Sequence, residues 1–124
     1  MGSQAAAELK GATYEQRCLW IENKKSIGNE HFKKQEYAEA IDVYTASLCG
    51  LEFGKGISND QKEYVELKLK VPILNNMALC LINQKHYDRA LQMLDLVLKS
   101  DRKNEKALLR KCSAHIYLVD YDKA

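Results

Sequence analysis

Apolar residues recur every three or four positions through most of the chain, and short polar stretches separate these runs. This spacing matches one face of a helix with 3.6 residues per turn. The clearest stripe consists of Ala40, Ile41, Tyr44, Ser47 and Leu48. We therefore predict helices over about 13–34, 37–50, 58–84, 87–98 and 105–118, and a sixth helix that begins at Asp120.

Local signals mark several helix boundaries. Thr13 and Gln16 have the spacing of a capping box, in which two side chains accept hydrogen bonds from otherwise free backbone amides. A glycine-containing polar loop precedes Ser58 and Asn59, and either residue can cap the third helix. Pro72 lies inside that helix and has no amide hydrogen, so we expect a kink or a break there.

The first helix carries apolar residues on more than one side. Leu19, Ile27 and Phe32 mark the faces that we expect to contact other helices. Gly28 has no side chain, so a neighbouring helix can approach it closely.

The motif Tyr-x-x-Ala occurs three times, beginning at Tyr37, Tyr87 and Tyr121. The last two tyrosines are 34 residues apart, and the first two are 50 apart, which is one 34-residue unit plus 16 residues. Each motif follows a short polar turn. A 34-residue period with helix–turn–helix units is the signature of tetratricopeptide repeats.

Composition agrees with a single small helical domain. The chain has 124 residues, of which 46% are apolar and 29% charged, with only 6 glycines and 1 proline. These values exclude two large domains and a disordered chain, and no apolar run is long enough for a membrane helix. The net charge of +2 gives no reason to expect non-specific nucleic-acid binding.

The chain shows no pattern typical of a catalytic, metal or cofactor site. Its four cysteines are far apart, without a Cys-x-x-Cys pair, and no secretory signal precedes them. Reduced thiols packed as small apolar residues in a cytoplasmic protein are the simplest interpretation. There is also no phosphate-binding loop or nucleophile elbow. We therefore expect no enzyme activity, no cofactor and no metal.

Three segments resemble the tetratricopeptide repeat in register, with small residues at Gly28, Ala78 and Cys112. The closing proline of the family pattern is missing, and Glu52 and Arg102 stand in its place. The resemblance implies an all-α solenoid of antiparallel helix pairs. Its repeats would cover about 21–54, 71–104 and 105–124, within a domain over 13–124 that follows a flexible segment over 1–12.

The sixth helix would contain a single turn, which leaves its partner without a full apolar cover. We therefore expect that the chain is a fragment of a longer protein, or that another molecule completes this last helix.

Five polar residues resemble the carboxylate clamp of the co-chaperone subfamily of tetratricopeptide proteins. Those proteins hold the C-terminal Glu-Glu-Val-Asp tail of a cytosolic heat-shock chaperone of about ninety or seventy kilodaltons. The 16-residue insertion is similar to one in the repeat domains of large immunophilins. The five matching residues are Lys25, Asn29, Asn76, Lys106 and Arg110.

Spacing supports this resemblance. Lys25 and Asn29 are four residues apart, as are Lys106 and Arg110, so each pair shares one helix face. Three cations and two amides lining one groove would suit the two carboxylates of a C-terminal aspartate. Phe32, Leu79 and Asn83 should face the same groove and contact the upstream peptide residues.

Other interpretations stay open at this point. Each clamp residue taken alone is also consistent with an ordinary solvated helix surface. The fold could instead bind an internal peptide or a partner helix without a clamp. The chain could also be the repeat domain appended to a peptidyl-prolyl isomerase whose catalytic part is absent. The sequence decides neither the preferred chaperone nor the oligomeric state.

Overall fold

The computed structural model describes residues 8–51 and 56–123, with side chains through Val119. Within these residues every regular element is helical, which confirms the predicted all-α class. Helices pack mainly on their neighbours in sequence, as in a tetratricopeptide-repeat solenoid. The elements are α1 (Tyr14–Lys33), α2 (Tyr37–Cys49), α3 (Asn59–Tyr64), a π-helical segment π1 (Val65–Lys70), α4 (Val71–Asn83), α5 (Tyr87–Ser100) and α6 (Glu105–Lys123).

Capping boxes begin α1 and α3. The Gln16 amide donates to Thr13 Oγ1 at 3.1 Å, and the Thr13 amide donates to Gln16 Oε1 at 2.9 Å. Ser58 and Gln61 repeat this geometry with the same two distances. The predicted box at Thr13 is confirmed, and Ser58 is the residue that caps the third helix.

The helical residues continue through Pro72 without a gap. Of the two predicted alternatives, a kink or a break in the helix, the break was wrong. The π-helical segment π1 instead precedes the turn that contains the proline. Its last hydrogen bond runs from the Val71 amide to the Glu66 carbonyl, five residues back. This wider turn accommodates a residue that lacks an amide hydrogen and crowds the preceding backbone.

The two repeat turns share a left-handed residue. Gln35 and Lys85 have φ values of 63° and 65°, and they occupy the same place before Tyr37 and Tyr87. The amide that follows each one bonds back to the preceding helix, at 2.9 Å for Glu36 and 2.8 Å for His86. These short turns make the joined helices antiparallel.

Replacing Lys85 by glycine is expected to raise the free energy of unfolding by about 0.5–1 kcal/mol. Glycine adopts positive φ without the steric cost that a Cβ atom imposes. The urea unfolding midpoint measures the gain. Gln84→Gly is the control, because Gln84 has φ −86° and gains nothing from glycine. An equal or lower stability of Lys85→Gly would contradict the account of this turn.

The sixth helix does not begin at Asp120, because α6 runs without interruption from Glu105 to Lys123. The prediction was wrong for a steric reason. Val119 occupies the place of Lys85, 34 residues earlier, where the turn requires positive φ. A β-branched residue is strongly disfavoured in that conformation, so the helix continues.

Two apolar clusters form the core, one on each side of α4. The first joins α1, α2, π1 and α4, and the second joins α4, α5 and α6. Ala40 and Ala90, the alanines of the first two Tyr-x-x-Ala motifs, are both fully buried. Large members of the core include Ile21, Tyr44, Leu69, Ile73, Leu74, Leu94 and Val97.

The contact faces predicted for α1 were wrong at two of three positions. Leu19 is 59% exposed and Ile27 is 48% exposed, whereas Phe32 is partly buried against the first cluster. The buried residues of α1 are Ile21 and Gly28, two turns apart on one face. Helices cover only that side of α1, so apolar residues elsewhere on it reach solvent.

Part of the segment predicted to be flexible over 1–12 packs on the domain. Leu9 is 4% exposed, and Trp20 Nε1 donates a hydrogen bond to Glu8 Oε2 at 2.6 Å. The assignment of 1–12 as a flexible segment stays a prediction. Residues 1–7, Glu52 and Ala124 lie outside the described part of the chain, and the repeat boundaries stay a prediction.

Residues 8–51 and 56–123 contain neither a helix that could span a membrane nor a cluster of metal-ligating side chains. No helix there combines the length and apolar character needed to cross a bilayer. No group of three or more potential metal-ligating side chains comes together there. All four cysteines are free thiols, with Cys80 buried and Cys112 exposed.

Candidate functional site

Two of the predicted amides meet between α1 and α4. Asn76 Nδ2 donates a hydrogen bond of 3.1 Å to Asn29 Oδ1, although the residues are 47 apart in sequence. The Tyr44 hydroxyl donates to the same oxygen. Both of these bonds use Oδ1 of Asn29. The NH₂ group of Asn29 donates no hydrogen bond to another described residue. That group can donate to a ligand.

Sequence reasoning placed Tyr44 only in the core stripe of α2 and missed its contact with the site. The tyrosine is 1% exposed, and its ring lies against the backbone of Gly28. Burial raises the pKa of Tyr44 to about 12, with a further rise from Cys80 and a partial offset by a hydrogen bond with Asn76. The hydroxyl therefore stays protonated at neutral pH and fixes the orientation of Asn29.

Arg110 brings α6 to the same region of α4. Its NH1 group donates a 2.8 Å hydrogen bond to the backbone carbonyl of Asn75, the residue before Asn76. Burial lowers the pKa of Arg110, and the nearby Cys80 thiol opposes this shift. An arginine remains protonated despite such a shift. The structure thus holds a guanidinium cation against the α4 backbone, one residue before Asn76.

A second asparagine pair fixes the start of α6. Asn75 Nδ2 donates to Asn104 Oδ1 at 3.1 Å, and the same oxygen accepts the Ala107 amide at 3.0 Å as a helix cap. These bonds tie the first turn of α6, which carries Lys106, to α4. Sequence reasoning missed Asn104, although an asparagine directly before a helix is a recognised start signal. Asn75 Oδ1 is buried without a hydrogen-bond partner.

Asn76 borders two hollows on this face. One has a volume of about 450 Å³ and is also lined by Asn29, Phe32 and Tyr44. The other has a volume of about 550 Å³, and its lining combines apolar side chains of π1 and α4 with two cations and two carboxylates, which are Lys103, Lys106, Asp101 and Glu105. The predicted residues Phe32 and Lys106 therefore line different hollows, and Asn76 borders both.

The remaining predicted residues are less closely gathered. Lys25 lies one turn before Asn29 on α1 but lines neither hollow. Leu79 is partly buried and Asn83 is exposed, and both also lie outside the two linings. Asn83 Nδ2 donates to the Leu79 carbonyl at 2.9 Å. None of these three residues forms a hydrogen bond with Asn29 or Asn76.

The cations of the candidate site form no ion pairs among the described residues, although Asp101 and Glu105 line the same hollow as Lys106. Within residues 8–51 and 56–119, neither Lys25 nor Lys106 forms an ion pair, and Arg110 contacts no carboxylate. The four ion pairs of that region involve other residues. This face can therefore supply positive charge and directed N–H donors to an anionic ligand.

Similarity to known proteins points to one group. No family profile matches the chain. It is 32% identical to the peptidyl-prolyl cis-trans isomerase FKBP42 of Arabidopsis thaliana over 90% of its own length. The chain is also 27% identical to the human isomerase FKBP4, over 81% of the length of this chain. The chain spans only 31% and 22% of those two relatives.

A solved structure gives a comparison at domain level. The C-terminal TPR-containing domain of an FK506-binding protein from Plasmodium falciparum is 31% identical, with a TM-score of 0.72. The match covers 86% of this chain and 70% of that domain. The chain therefore belongs to the tetratricopeptide-repeat domains of the FK506-binding immunophilins, and it is a protein-interaction module.

Proposed function

We propose that this chain binds the acidic C-terminal Glu-Glu-Val-Asp tail of a cytosolic heat-shock chaperone, of the ninety- or seventy-kilodalton class, through a carboxylate clamp. The hydrogen bond between Asn76 and Asn29 is the observation that carries the proposal. It brings amides from two separate helices together, and Arg110 from a third helix is held one residue away.

Charge on this face supports an anionic ligand. Lys25, Lys106 and Arg110 have no carboxylate partner among the described residues, so a bound carboxylate would not have to displace one. Each charge-assisted hydrogen bond contributes about 1.5–3 kcal/mol. The free energy of three or four such bonds is offset in part by the cost of ordering a flexible peptide, and the balance corresponds to a Kd in the micromolar range.

The free C-terminus of the tail is expected to dominate binding. A labelled peptide ending in Glu-Glu-Val-Asp should bind, and its C-terminally amidated form should bind about tenfold or more weakly, because amidation removes one carboxylate. Fluorescence anisotropy at low and physiological salt measures both affinities. Equal binding of the two peptides, or no binding at low salt, would contradict the clamp.

Equal binding would favour a scaffold that takes an internal peptide or a helix, which is the second candidate. The observation that favours this candidate is that Lys25 lines neither of the hollows beside Asn76. A scaffold of this kind would bind partners without a free C-terminus.

We also propose that these residues carry no isomerase activity, although the relatives FKBP42 and FKBP4 are named as isomerases. The solved domain that the chain matches is a TPR-containing domain. Turnover in a proline-isomerisation assay of this chain would contradict the proposal. The proposed ligand also implies a cytosolic location, with which the four free thiols agree.

A further inference from the structure

A third hollow lies toward the N-terminal end of α1, about two turns before Asn29, and we name it the N-terminal hollow. Its volume is about 520 Å³. Two large apolar side chains from different helices border it, and both are left in solvent: Leu19 of α1 is 59% exposed and Tyr64 of α3 is 44% exposed. The full lining is Tyr14, Glu15, Cys18, Leu19, Glu22 and Tyr64.

This hollow has a net negative lining, whereas acidic and basic side chains balance in the linings of the two hollows beside Asn76. Its only charged lining residues are Glu15 and Glu22, and neither forms an ion pair within residues 8–51 and 56–119. They are seven residues apart on α1, which is two turns, or roughly 10 Å. The apolar side chains of Cys18 and Leu19 lie between them.

Burial is the main cause of two raised pKa values in the lining, and the nearby carboxylates add to both. Burial raises the pKa of Tyr14 to about 12, with further rises from its hydrogen bond with Cys18 and from nearby Glu15. Burial also raises the pKa of Cys18, a hydrogen bond from Tyr14 offsets part of this rise, and the two carboxylates add to it. The hollow therefore disfavours added negative charge.

We propose that the N-terminal hollow docks a helical segment of a partner protein that carries apolar residues between two basic ones. A helix lying along α1 places residues i, i+3, i+4 and i+7 on one face. Basic side chains at i and i+7 would meet Glu15 and Glu22, and apolar side chains at i+3 and i+4 would cover Leu19 and Tyr64. This site is separate from the acidic-tail site and does not depend on it.

An alanine-rich helical peptide with two lysines seven positions apart and two leucines between them is the probe. It should bind with NMR shift changes confined to the first half of α1 and to Tyr64. The Glu15→Gln/Glu22→Gln chain should bind it about tenfold more weakly, and Leu19→Asn should weaken it similarly. Glu39→Gln/Asp42→Asn is the matched control, because it removes the same charge from exposed positions on α2 and should leave binding unchanged.

Any of the following results would overturn the proposal. One is equal binding of a probe with glutamates in place of its lysines. Another is equal weakening by the control variant, which would indicate a general charge effect. The third is competition by a saturating Glu-Glu-Val-Asp peptide, or loss of probe binding in Lys106→Ala, since either would assign the probe to the other site. Failure of the acidic-tail proposal alone would leave the expected results here unchanged.

Discussion

Replacing Gly28 by alanine is expected to lower the free energy of unfolding by about 2 kcal/mol, the cost of overpacking a core. At an ordinary helix position the same change raises stability by about 0.5–1 kcal/mol. A methyl group on Gly28 would lie 2.6 Å from Cε1 and 2.7 Å from Cδ1 of Tyr44. Tyr44 is 1% exposed and its hydroxyl is bonded to Asn29, so the ring cannot move aside without losing contacts.

Urea unfolding of two matched variants separates steric contact from helix propensity. Ser26→Ala lies on the same helix at an exposed position and should be neutral or slightly stabilising. Introducing Gly28→Ala into a Tyr44→Leu background should cost much less than in the original chain, because the smaller side chain removes the clash. Stabilisation by Gly28→Ala alone would show that the close approach to Tyr44 imposes no constraint.

The parts of the fold that the sequence predicted well depend on interactions between near neighbours. Both capping boxes join residues three apart, and a side chain at that spacing needs no tertiary contact to reach its partner. The four helix starts at Tyr14, Tyr37, Tyr87 and Glu105 were predicted to within one residue for the same reason. Helix periodicity carries this information locally.

The errors arose where backbone strain or solvent exposure decided the outcome. Helical periodicity carries no information on the φ angle that a turn requires, and a valine is disfavoured at the positive φ needed at position 119. The end of α6 was therefore predicted too early. The periodicity also does not reveal which sides of α1 are covered, so Leu19 was taken for a contact residue. Pro72 was recognised as a perturbation, but the compensating π-helical segment was not anticipated.

The candidate site required both a family resemblance and tertiary contacts. The resemblance selected Asn29 and Asn76, and the structure joins them by a hydrogen bond between residues 47 apart. No sequence signal indicated that Tyr44 would orient Asn29 or that Asn104 would bond to Asn75, because those partners are 15 and 29 residues apart. Such long-range hydrogen bonds are set by helix packing.

Lys106→Ala is expected to raise the Kd for the Glu-Glu-Val-Asp peptide by about 10–100-fold, which corresponds to the loss of one charge-assisted hydrogen bond. Lys106 is exposed in the first turn of α6 and forms no ion pair among the described residues, so its removal should leave Tm unchanged. Arg110 is a less informative choice, because its hydrogen bond to the Asn75 carbonyl also holds α6 on α4.

Lys99→Ala is the matched control for this measurement. It removes the same charge from an exposed position at the end of α5, and Lys99 borders neither hollow beside Asn76. The control should change the Kd by less than about twofold at physiological salt, because Lys99 borders neither hollow and salt weakens the attraction between exposed charges that make no contact. If Lys99→Ala weakened binding as much as Lys106→Ala, the peptide would be held by the overall positive charge. A loss confined to Lys106 requires that the carboxylate sit beside the first turn of α6, where Asn104 and Asn75 fix the helix in place.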